Sequence, residues 1–303
     1  MNISELSQHF AIPGHVEFIE GPGGLPQIRI ANTTATALIS VYGAQVLSYH
    51  RHGEDELLFL SERAHYADGK AIKGGVPVCW PWFGADPEGK GRPAHGFVRT
   101  RIWTVGATAQ PEPGLTRIEL QLHDDDTTRR LWPHRFALSL VVTIGDDLDL
   151  ALITRNRGEQ AFDITQALHT YFAVGDIAQV GIAGLDGSRY LDKVRDFAVF
   201  DQSGTVRFDG EVDRIYQRVQ GPLTISDPAL GRRIDIDCSG STTTVVWNPW
   251  KEIAIAMQDL ADDDYRRLVC VETANAAEEV VTIQPGTEYR LSASYRQSAL
   301  APA

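Results

Sequence analysis

The chain contains only three cysteines and two methionines in 303 residues, and no cysteine pair has Cys-x-x-Cys spacing. An odd number of widely separated cysteines does not form the disulfide framework of a small secreted domain. The sequence also lacks the run of about 20 apolar residues that a membrane-spanning helix needs. Residues 1–10 have neither the basic nor the apolar region of a secretory signal. We therefore expect a soluble, cytoplasmic protein with reduced thiols.

Positive charge is scarce, with 28 Lys and Arg against 40 Asp and Glu and a formal net charge of −12. This balance repels polyanions, so we expect neither a nucleic-acid partner nor a membrane partner. The sequence has no Gly-x-Ser-x-Gly nucleophile elbow, no phosphate-binding P-loop and no dinucleotide fingerprint. Nothing in it predicts a nucleotide cofactor.

Helical periodicity is rare, and only residues 4–10 and 127–132 are predicted to form short helices. Alternating apolar and polar residues dominate instead, and residues 136–144 and 148–152, separated by Gly145-Asp146-Asp147, predict a β-hairpin. Residues 280–283 and 289–295 repeat this pattern. The same alternation predicts further short strands at residues 16–19, 27–31, 35–41, 57–60, 117–122, 223–226, 234–238 and 243–247.

Many strands without crossover helices predict antiparallel sheets. They are too numerous for one small sandwich, so we expect an all-β fold, a large antiparallel two-sheet sandwich. No linker composition interrupts the chain, which predicts a single domain over residues 1–303. The terminal segment 298–303 is predicted to be disordered.

An aromatic segment, Gly-Gly-Val-Pro-Val-Cys-Trp-Pro-Trp-Phe-Gly, lies at residues 74–84 and follows Lys73. Its glycines allow close backbone approach and its prolines stiffen the path. Trp80, Trp82 and Phe83 offer flat faces of the kind on which sugar rings stack. The segment predicts an aromatic wall with Trp82 binding substrate, although a buried aromatic corner of the core explains it equally well.

A second segment, His-Gly-Phe-Val-Arg, begins at His95 and ends at Arg99. A histidine and an arginine around a glycine can direct two hydrogen-bond donors at an oxygen-rich or anionic ligand. A core histidine beside a surface arginine is the alternative.

Two further segments place ionisable side chains in apolar, strand-like runs: His169 within residues 167–172 and Glu272 within residues 268–275. A buried imidazole needs partners, and a core histidine bonded to a backbone carbonyl would satisfy this. Glu is rarely buried unless it is paired or functional, so the functional interpretation is favoured for Glu272. If the two side chains meet, they supply a proton donor and a proton acceptor.

In this order and spacing, the four segments resemble the bacterial and fungal hexose-6-phosphate mutarotases, also called glucose-6-phosphate 1-epimerases, of the aldose 1-epimerase group. The resemblance implies a galactose-mutarotase-like β-supersandwich. It places the family's catalytic histidine on His169 and its catalytic carboxylate on Glu272.

The same resemblance assigns binding roles. It places anion-binding groups on Lys73 and Arg99, a donor to a sugar oxygen on His95, and a ligand for a ring hydroxyl on Asp213. Lys73 stands where the family pattern has arginine. Lysine keeps the charge but loses the bidentate fork of a guanidinium.

The activity implied is interconversion of the α and β anomers of an aldohexose 6-phosphate, with glucose 6-phosphate as the expected substrate. His169 would protonate the ring oxygen O5 while Glu272 removes the C1 hydroxyl proton. This chemistry requires no metal ion and no other cofactor, and we expect a monomer. The alternatives are an epimerase of unphosphorylated aldoses and a non-catalytic carbohydrate-binding sandwich, although a binder would need neither His169 nor Glu272.

Overall fold

A computed structural model describes residues 1–300, which contain three short α-helices and 22 strands. The helices are α1 (Ile3–Phe10), α2 (Asp126–Leu131) and α3 (Trp250–Ala256). The first eleven strands are β1 (Val16–Glu20), β2 (Pro26–Ala31), β3 (Ala35–Ser40), β4 (Gln45–Arg51), β5 (Val78–Cys79), β6 (Thr104–Glu112), β7 (Leu115–His123), β8 (Phe136–Ile144), β9 (Leu148–Asn156), β10 (Phe162–Ile164) and β11 (Gln166–Leu168). The others are β12 (Tyr171–Ala173), β13 (Gly181–Ala183), β14 (Arg189–Asp192), β15 (Ala198–Asp201), β16 (Val212–Gln217), β17 (Leu223–Asp227), β18 (Arg232–Ser239), β19 (Thr243–Asn248), β20 (Leu268–Asn275), β21 (Val281–Ile283) and β22 (Glu288–Ala299).

Two eight-stranded antiparallel sheets form the body of the fold. The first has the order β15-β14-β16-β19-β20-β11-β5, and β12 also pairs with β20. The second has the order β13-β17-β18-β22-β9-β8-β7-β6. A four-stranded sheet (β1 to β4) and the pair β10-β21 complete the strands. The all-β antiparallel prediction is confirmed. The sequence predicted strands at the positions of β1, β2 and β3, but not that they form a separate sheet with β4.

The hairpin predicted at residues 136–152 is formed by β8 and β9, paired from Phe136 with Asn156 to Ile144 with Leu148. Alternate side chains point to one face of a strand, so the apolar set of β8 lies on one side of the sheet. The apolar residues of β8 are Phe136, Leu138, Leu140, Val142 and Ile144. They belong to a buried apolar cluster that also contains side chains of the first sheet. Each such side chain contributes about 1.5–3 kcal/mol through burial.

The strand predicted at residues 57–60 is wrong. Leu58 and Leu60 form only isolated bridges, because the segment divides its backbone hydrogen bonds between different elements. The amide of Leu57 donates to Tyr49 in β4, whereas the amide of Phe59 donates to Tyr171 in β12. No continuous ladder can form under this arrangement.

The tail is ordered further than the sequence predicted. Ser298 and Ala299 continue β22 and pair with β18, and the amide of Leu300 donates to the carbonyl of Gly231. The long partner strand satisfies the backbone groups of these residues, so their terminal position does not exclude them from the sheet. The remaining tail residues, 301–303, lie outside the described residues.

The two short helices predicted near residues 4–10 and 127–132 are confirmed by α1 and α2. Within residues 1–300, none of the helices has the length and apolar composition needed to cross a membrane.

Candidate active site

A cleft of about 260 Å³ lies against the first eight-stranded sheet. Six of the seven residues singled out from the sequence line it: Lys73, His95, Arg99, His169, Asp213 and Glu272. The structure adds six lining residues that had not been assigned a binding role: Phe83, Tyr171, Lys193, Val245, Trp247 and Met257.

A break in the sheet brings His169 to Glu272. Strand β20 pairs with β11 up to Leu168 and with β12 from Tyr171 onward, so His169 and its neighbour Thr170 leave the ladder. The amide of His169 donates instead to the carbonyl of Pro77. Glu272 lies in the part of β20 opposite this break. The interruption therefore sets the imidazole against the carboxylate.

His169 and Glu272 form a buried pair, with Nε2 of the histidine 3.4 Å from Oε1 of the glutamate. Their side chains are only 11% and 1% exposed. The other nitrogen of His169, Nδ1, and the other oxygen of Glu272, Oε2, are buried without a hydrogen-bond partner among the described residues. Buried polar atoms are rarely left unpaired in proteins. The unpaired atoms leave both side chains capable of bonding a ligand.

Burial controls the protonation of this pair. It raises the pKa of Glu272 well above its ordinary value of 4.5, and the neighbouring Asp213 adds to the rise. It lowers the pKa of His169 well below 6.5, with a further lowering from the positive charges of Arg99 and Lys73. Both shifts favour the neutral forms. Burial thus favours a neutral imidazole beside a neutral carboxyl, whereas the sequence predicted a protonated histidine beside an ionised glutamate.

His95 is fixed as a neutral donor. The amide of Gly84 donates to its Nδ1 across 3.4 Å, which leaves Nε2 to carry the proton. Burial, together with Arg99 and two lysines, lowers the pKa of His95 to about 3.

The backbone around His95 is tightly constrained. His95 itself has a left-handed backbone conformation, with φ +64°. Its neighbour Gly96 packs so closely on the backbone of Trp80 that a Cβ atom there would lie 1.8 Å from the Trp80 oxygen.

Three cationic side chains line the cleft. Lys73 lies 3.4 Å from the carboxylate of Asp259. Arg99 donates a hydrogen bond of 3.0 Å to the carbonyl of Ala94, and no carboxylate pairs with it in the described part of the chain. Lys193, which the sequence analysis did not single out, also reaches this site. The cleft is locally cationic in a protein of negative net charge.

Asp213 lies on β16 and accepts a 2.5 Å hydrogen bond from the ammonium group of Lys193. Burial raises the pKa of Asp213, and the positive charge of Lys193 opposes that rise. The carboxylate expected to hold a sugar hydroxyl is thus already paired with a cation.

Trp82 lies outside the cleft, which corrects the predicted aromatic wall. Its side chain is buried, donates through its indole nitrogen to the carbonyl of Pro93, and is covered by the guanidinium of Arg92 at 4.2 Å. Trp80 and Trp82 both pack against the core residue Phe97. Of the three aromatic residues of the predicted wall, Phe83 lines the cleft, and the rest of its aromatic surface comes from Tyr171 and Trp247.

A larger groove, of about 580 Å³, lies on the second eight-stranded sheet. Its walls include small and hydroxyl-bearing side chains such as Ala151, Ser292 and Ser294, with Arg117 and Asp149 among its charged residues. It contains no buried acid and base facing each other. We therefore assign the chemistry to the smaller cleft.

Comparison with known proteins identifies the family and the fold. The sequence pattern of the aldose 1-epimerase family matches residues 26–296, which is most of the chain. The chain belongs to the aldose 1-epimerase family. It is accordingly an isomerase-type enzyme.

Relatives within the aldose 1-epimerase family are similar over nearly the whole chain. A protein of Escherichia coli K12, provisionally named a glucose-6-phosphate 1-epimerase, is 39% identical over 255 residues, covering 84% of each sequence. The crystal structure of a Salmonella typhimurium protein, provisionally described as a mutarotase, superposes with a TM-score of 0.90 at 32% identity over 96% of both chains.

A more distant crystal structure identifies the fold. The galactose mutarotase related enzyme of Lactobacillus acidophilus has a TM-score of 0.71 at 15% identity, covering 91% of this chain and 98% of that one. The galactose-mutarotase-like fold predicted from the four sequence segments is confirmed.

Proposed function

We propose that the protein interconverts the α and β anomers of an aldohexose 6-phosphate, with glucose 6-phosphate as its substrate. The observation that carries this proposal is the buried pair of His169 and Glu272, with Nε2 and Oε1 3.4 Å apart in a cleft lined by three cations. The provisional name of the Escherichia coli relative supports the choice of substrate.

Ring opening requires one proton to arrive and one to leave. His169 donates a proton to O5 as the C1–O5 bond breaks, and Glu272 accepts the proton of the C1 hydroxyl as C1 becomes an aldehyde. Rotation about the C1–C2 bond then presents the other face of the carbonyl. O5 attacks that face and returns its proton to His169, while the aldehyde oxygen recovers a proton from Glu272. Every proton and bond is restored, so the acid and base suffice without a metal ion or a redox cofactor.

The buried environment favours ring opening. A bound ring-closed sugar requires the charged pair, whereas the open aldehyde leaves His169 and Glu272 neutral. Burial disfavours the charged form of each group. Ring opening therefore discharges a desolvated ion pair, and ring closure on the other face of the carbonyl restores it.

The cations account for phosphate recognition. The net charge of −12 opposes a dianionic substrate at long range, but salt screens distant charges beyond about 8–10 Å. Arg99 has no carboxylate partner within residues 1–300, and it can supply a planar fork for phosphate oxygens. Lys73 and Lys193 add two further positive charges at the same cleft. All of these residues come from one chain, so we propose that a monomer is sufficient.

Anomer-exchange NMR on glucose 6-phosphate and on glucose tests this proposal. We expect the protein to accelerate exchange of glucose 6-phosphate above its spontaneous rate, with a lower kcat/KM for glucose. Preference for glucose would favour an epimerase of unphosphorylated aldoses. Binding of either sugar without accelerated exchange would favour a carbohydrate-binding sandwich.

A further inference from the structure

We propose that Tyr171 is a positioning residue whose ring face orients the imidazole of His169 and stabilises its protonated form. This inference deepens the proposed function and rests on it, because it takes His169 as the proton donor. The geometry around His169 carries it.

The imidazole of His169 lacks the hydrogen bond that usually orients a catalytic histidine. In most such sites, the nitrogen that does not face the substrate donates to a carboxylate or a backbone carbonyl. Here Nδ1 is buried and has no partner among residues 1–300. The contact of Nε2 with Oε1 of Glu272, at 3.4 Å, does not by itself fix the plane of the ring, so packing contributes to its orientation.

Aromatic rings supply that packing. The ring of Tyr171 stacks almost parallel to the imidazole, with centroids 4.9 Å apart and an interplanar angle of 9°. His95 and Trp247 lie at steep angles to the imidazole, 65° and 80°, with centroids 5.6 Å and 6.3 Å away. Trp247 also packs against the Tyr171 ring at 5.9 Å and 78°. Of these three rings, Tyr171 is the one that lies parallel to the imidazole.

The Tyr171 ring is held in place because the backbone of Tyr171 belongs to the sheet. Tyr171 pairs with Cys270 of β20, its amide donates to Gly75, and its carbonyl accepts from Phe59. The ring is only 5% exposed. The hydrogen bonds described for Tyr171 all involve its main chain, so a phenylalanine at this position preserves every contact that the inference uses.

The charge around His169 explains why an aromatic face matters. Glu272 attracts the protonated imidazole from β20, whereas Arg99 and Lys73 repel it. The negative face of an aromatic ring attracts a cation, and the attraction is strongest when water is excluded. The stacked Tyr171 ring therefore offsets part of the repulsion without adding a formal charge that would compete for the proton.

The test compares Tyr171→Phe, which keeps the ring face, with Tyr171→Leu, which removes it. We expect Tyr171→Phe to retain kcat within about threefold of the parent value. Tyr171→Leu should lose at least about tenfold in kcat with little change in KM, since an acid that is harder to protonate slows proton transfer more than binding.

The decisive readout is NMR of histidine labelled with ¹⁵N, with the His169 signals assigned from a His169→Asn spectrum. In Tyr171→Leu the imidazole of His169 should protonate at a lower pH than in the parent, while Tyr171→Phe should match the parent. If Tyr171→Leu does not fold, as judged by circular dichroism, Tyr171→Met fills more of the same volume without an aromatic face and takes its place.

An unchanged His169 titration in the variant without a ring overturns the inference, whatever the activity. Equal loss in Tyr171→Phe and Tyr171→Leu would assign the effect to the hydroxyl and would also overturn it. Failure of the parent protein to exchange anomers would refute the proposed function alone, because the titration tests the stacking without any substrate.

Discussion

The ammonium group of Lys193 lies 2.5 Å from the carboxylate of Asp213, inside the cleft that holds His169 and Glu272. Lys193 is a third cation in the cleft, beside Lys73 and Arg99, which were expected from the sequence. Its pairing also means that Asp213 is engaged before any sugar arrives. A phosphate group that attracts Lys193 would weaken this pairing. Asp213 could then accept a hydrogen bond from a sugar hydroxyl.

Removing the charge of Lys193 should therefore impair recognition of the phosphorylated sugar. We predict that Lys193→Met raises KM for glucose 6-phosphate by about tenfold, the effect of losing roughly 1.4 kcal/mol of attraction, with a much smaller change for glucose. Lys70→Met is the matched control, because Lys70 is exposed and lies outside the cleft lining. Equal effects of the two variants would remove Lys193 from substrate recognition.

Reversing the charge of Arg99 should separate the KM values for glucose 6-phosphate and glucose more strongly than Lys193→Met does. Arg99→Glu should raise KM for glucose 6-phosphate by well over about tenfold and affect glucose far less, with anomer exchange of both sugars as the measurement. Lys73→Ala should act in the same direction. Lys73→Arg should keep or improve phosphate recognition, since a guanidinium binds phosphate oxygens in a bidentate manner. A parallel loss for both sugars would exclude these residues as the phosphate site.

The pH dependence follows from the single proton shared by His169 and Glu272. Activity should fall in acid once both groups are protonated, and in alkali once the pair loses its last proton. Burial lowers the pKa of His169 below 6.5 and raises that of Glu272 above 4.5. The acid limb of kcat/KM, which follows protonation of His169, should thus lie below pH 6.5, and the alkaline limb, which follows loss of the proton from Glu272, should lie above pH 4.5.

Glucose is the better substrate for this measurement. The phosphate of glucose 6-phosphate titrates at about pH 6, and its titration would overlap with the pH dependence of the enzyme. An acid limb at or above pH 6.5, the ordinary value for a histidine, would contradict the effect of burial on His169.

The sequence predicted those parts of the site that depend on local pattern. Glu272 interrupts an apolar strand, and the cost of burying a carboxyl marked it as functional before any contact was known. Alternation of side chains likewise predicted the β8–β9 hairpin. Lys193 gave no comparable signal, because it lies in a short turn after β14 and reaches Asp213 only through the pairing of β14 with β16.

Trp82, in contrast, was predicted from the sequence to bind substrate but lies outside the cleft. Its flat ring suited sugar stacking, but the direction in which it points depends on Phe97 and Arg92, which pack against it. Local sequence carries little information on which side of a loop faces the core. The same limit applies to Tyr171, whose relation to His169 arises from the break between β11 and β12.

The backbone beside His95 offers a test of stability. Gly96→Ala should reduce the free energy of unfolding by about 2–4 kcal/mol, since the new Cβ would collide with the Trp80 carbonyl and strain a φ of +74°. Gly91→Ala is a close control, because Gly91 has a φ of +75° with nothing within 4 Å of the added atom. It should cost only about 1 kcal/mol. Denaturant unfolding of both variants measures the difference, and equal losses would contradict a steric origin.

Glu272→Gln is the most direct test of the proposed chemistry. The amide keeps the shape of the side chain but cannot accept the C1 hydroxyl proton, so anomer exchange of glucose 6-phosphate should fall about 10²- to 10⁴-fold. His169→Asn should behave similarly. Glu278→Gln, which alters an exposed carboxylate paired with Arg218, serves as the control and should retain the parent rate.

The measurement is anomer-exchange NMR on glucose 6-phosphate with the parent protein and folded Glu272→Gln. The account predicts accelerated exchange by the parent and exchange close to the spontaneous rate with the variant. Exchange at the parent rate by Glu272→Gln would contradict it, because the buried carboxylate would then not be the base.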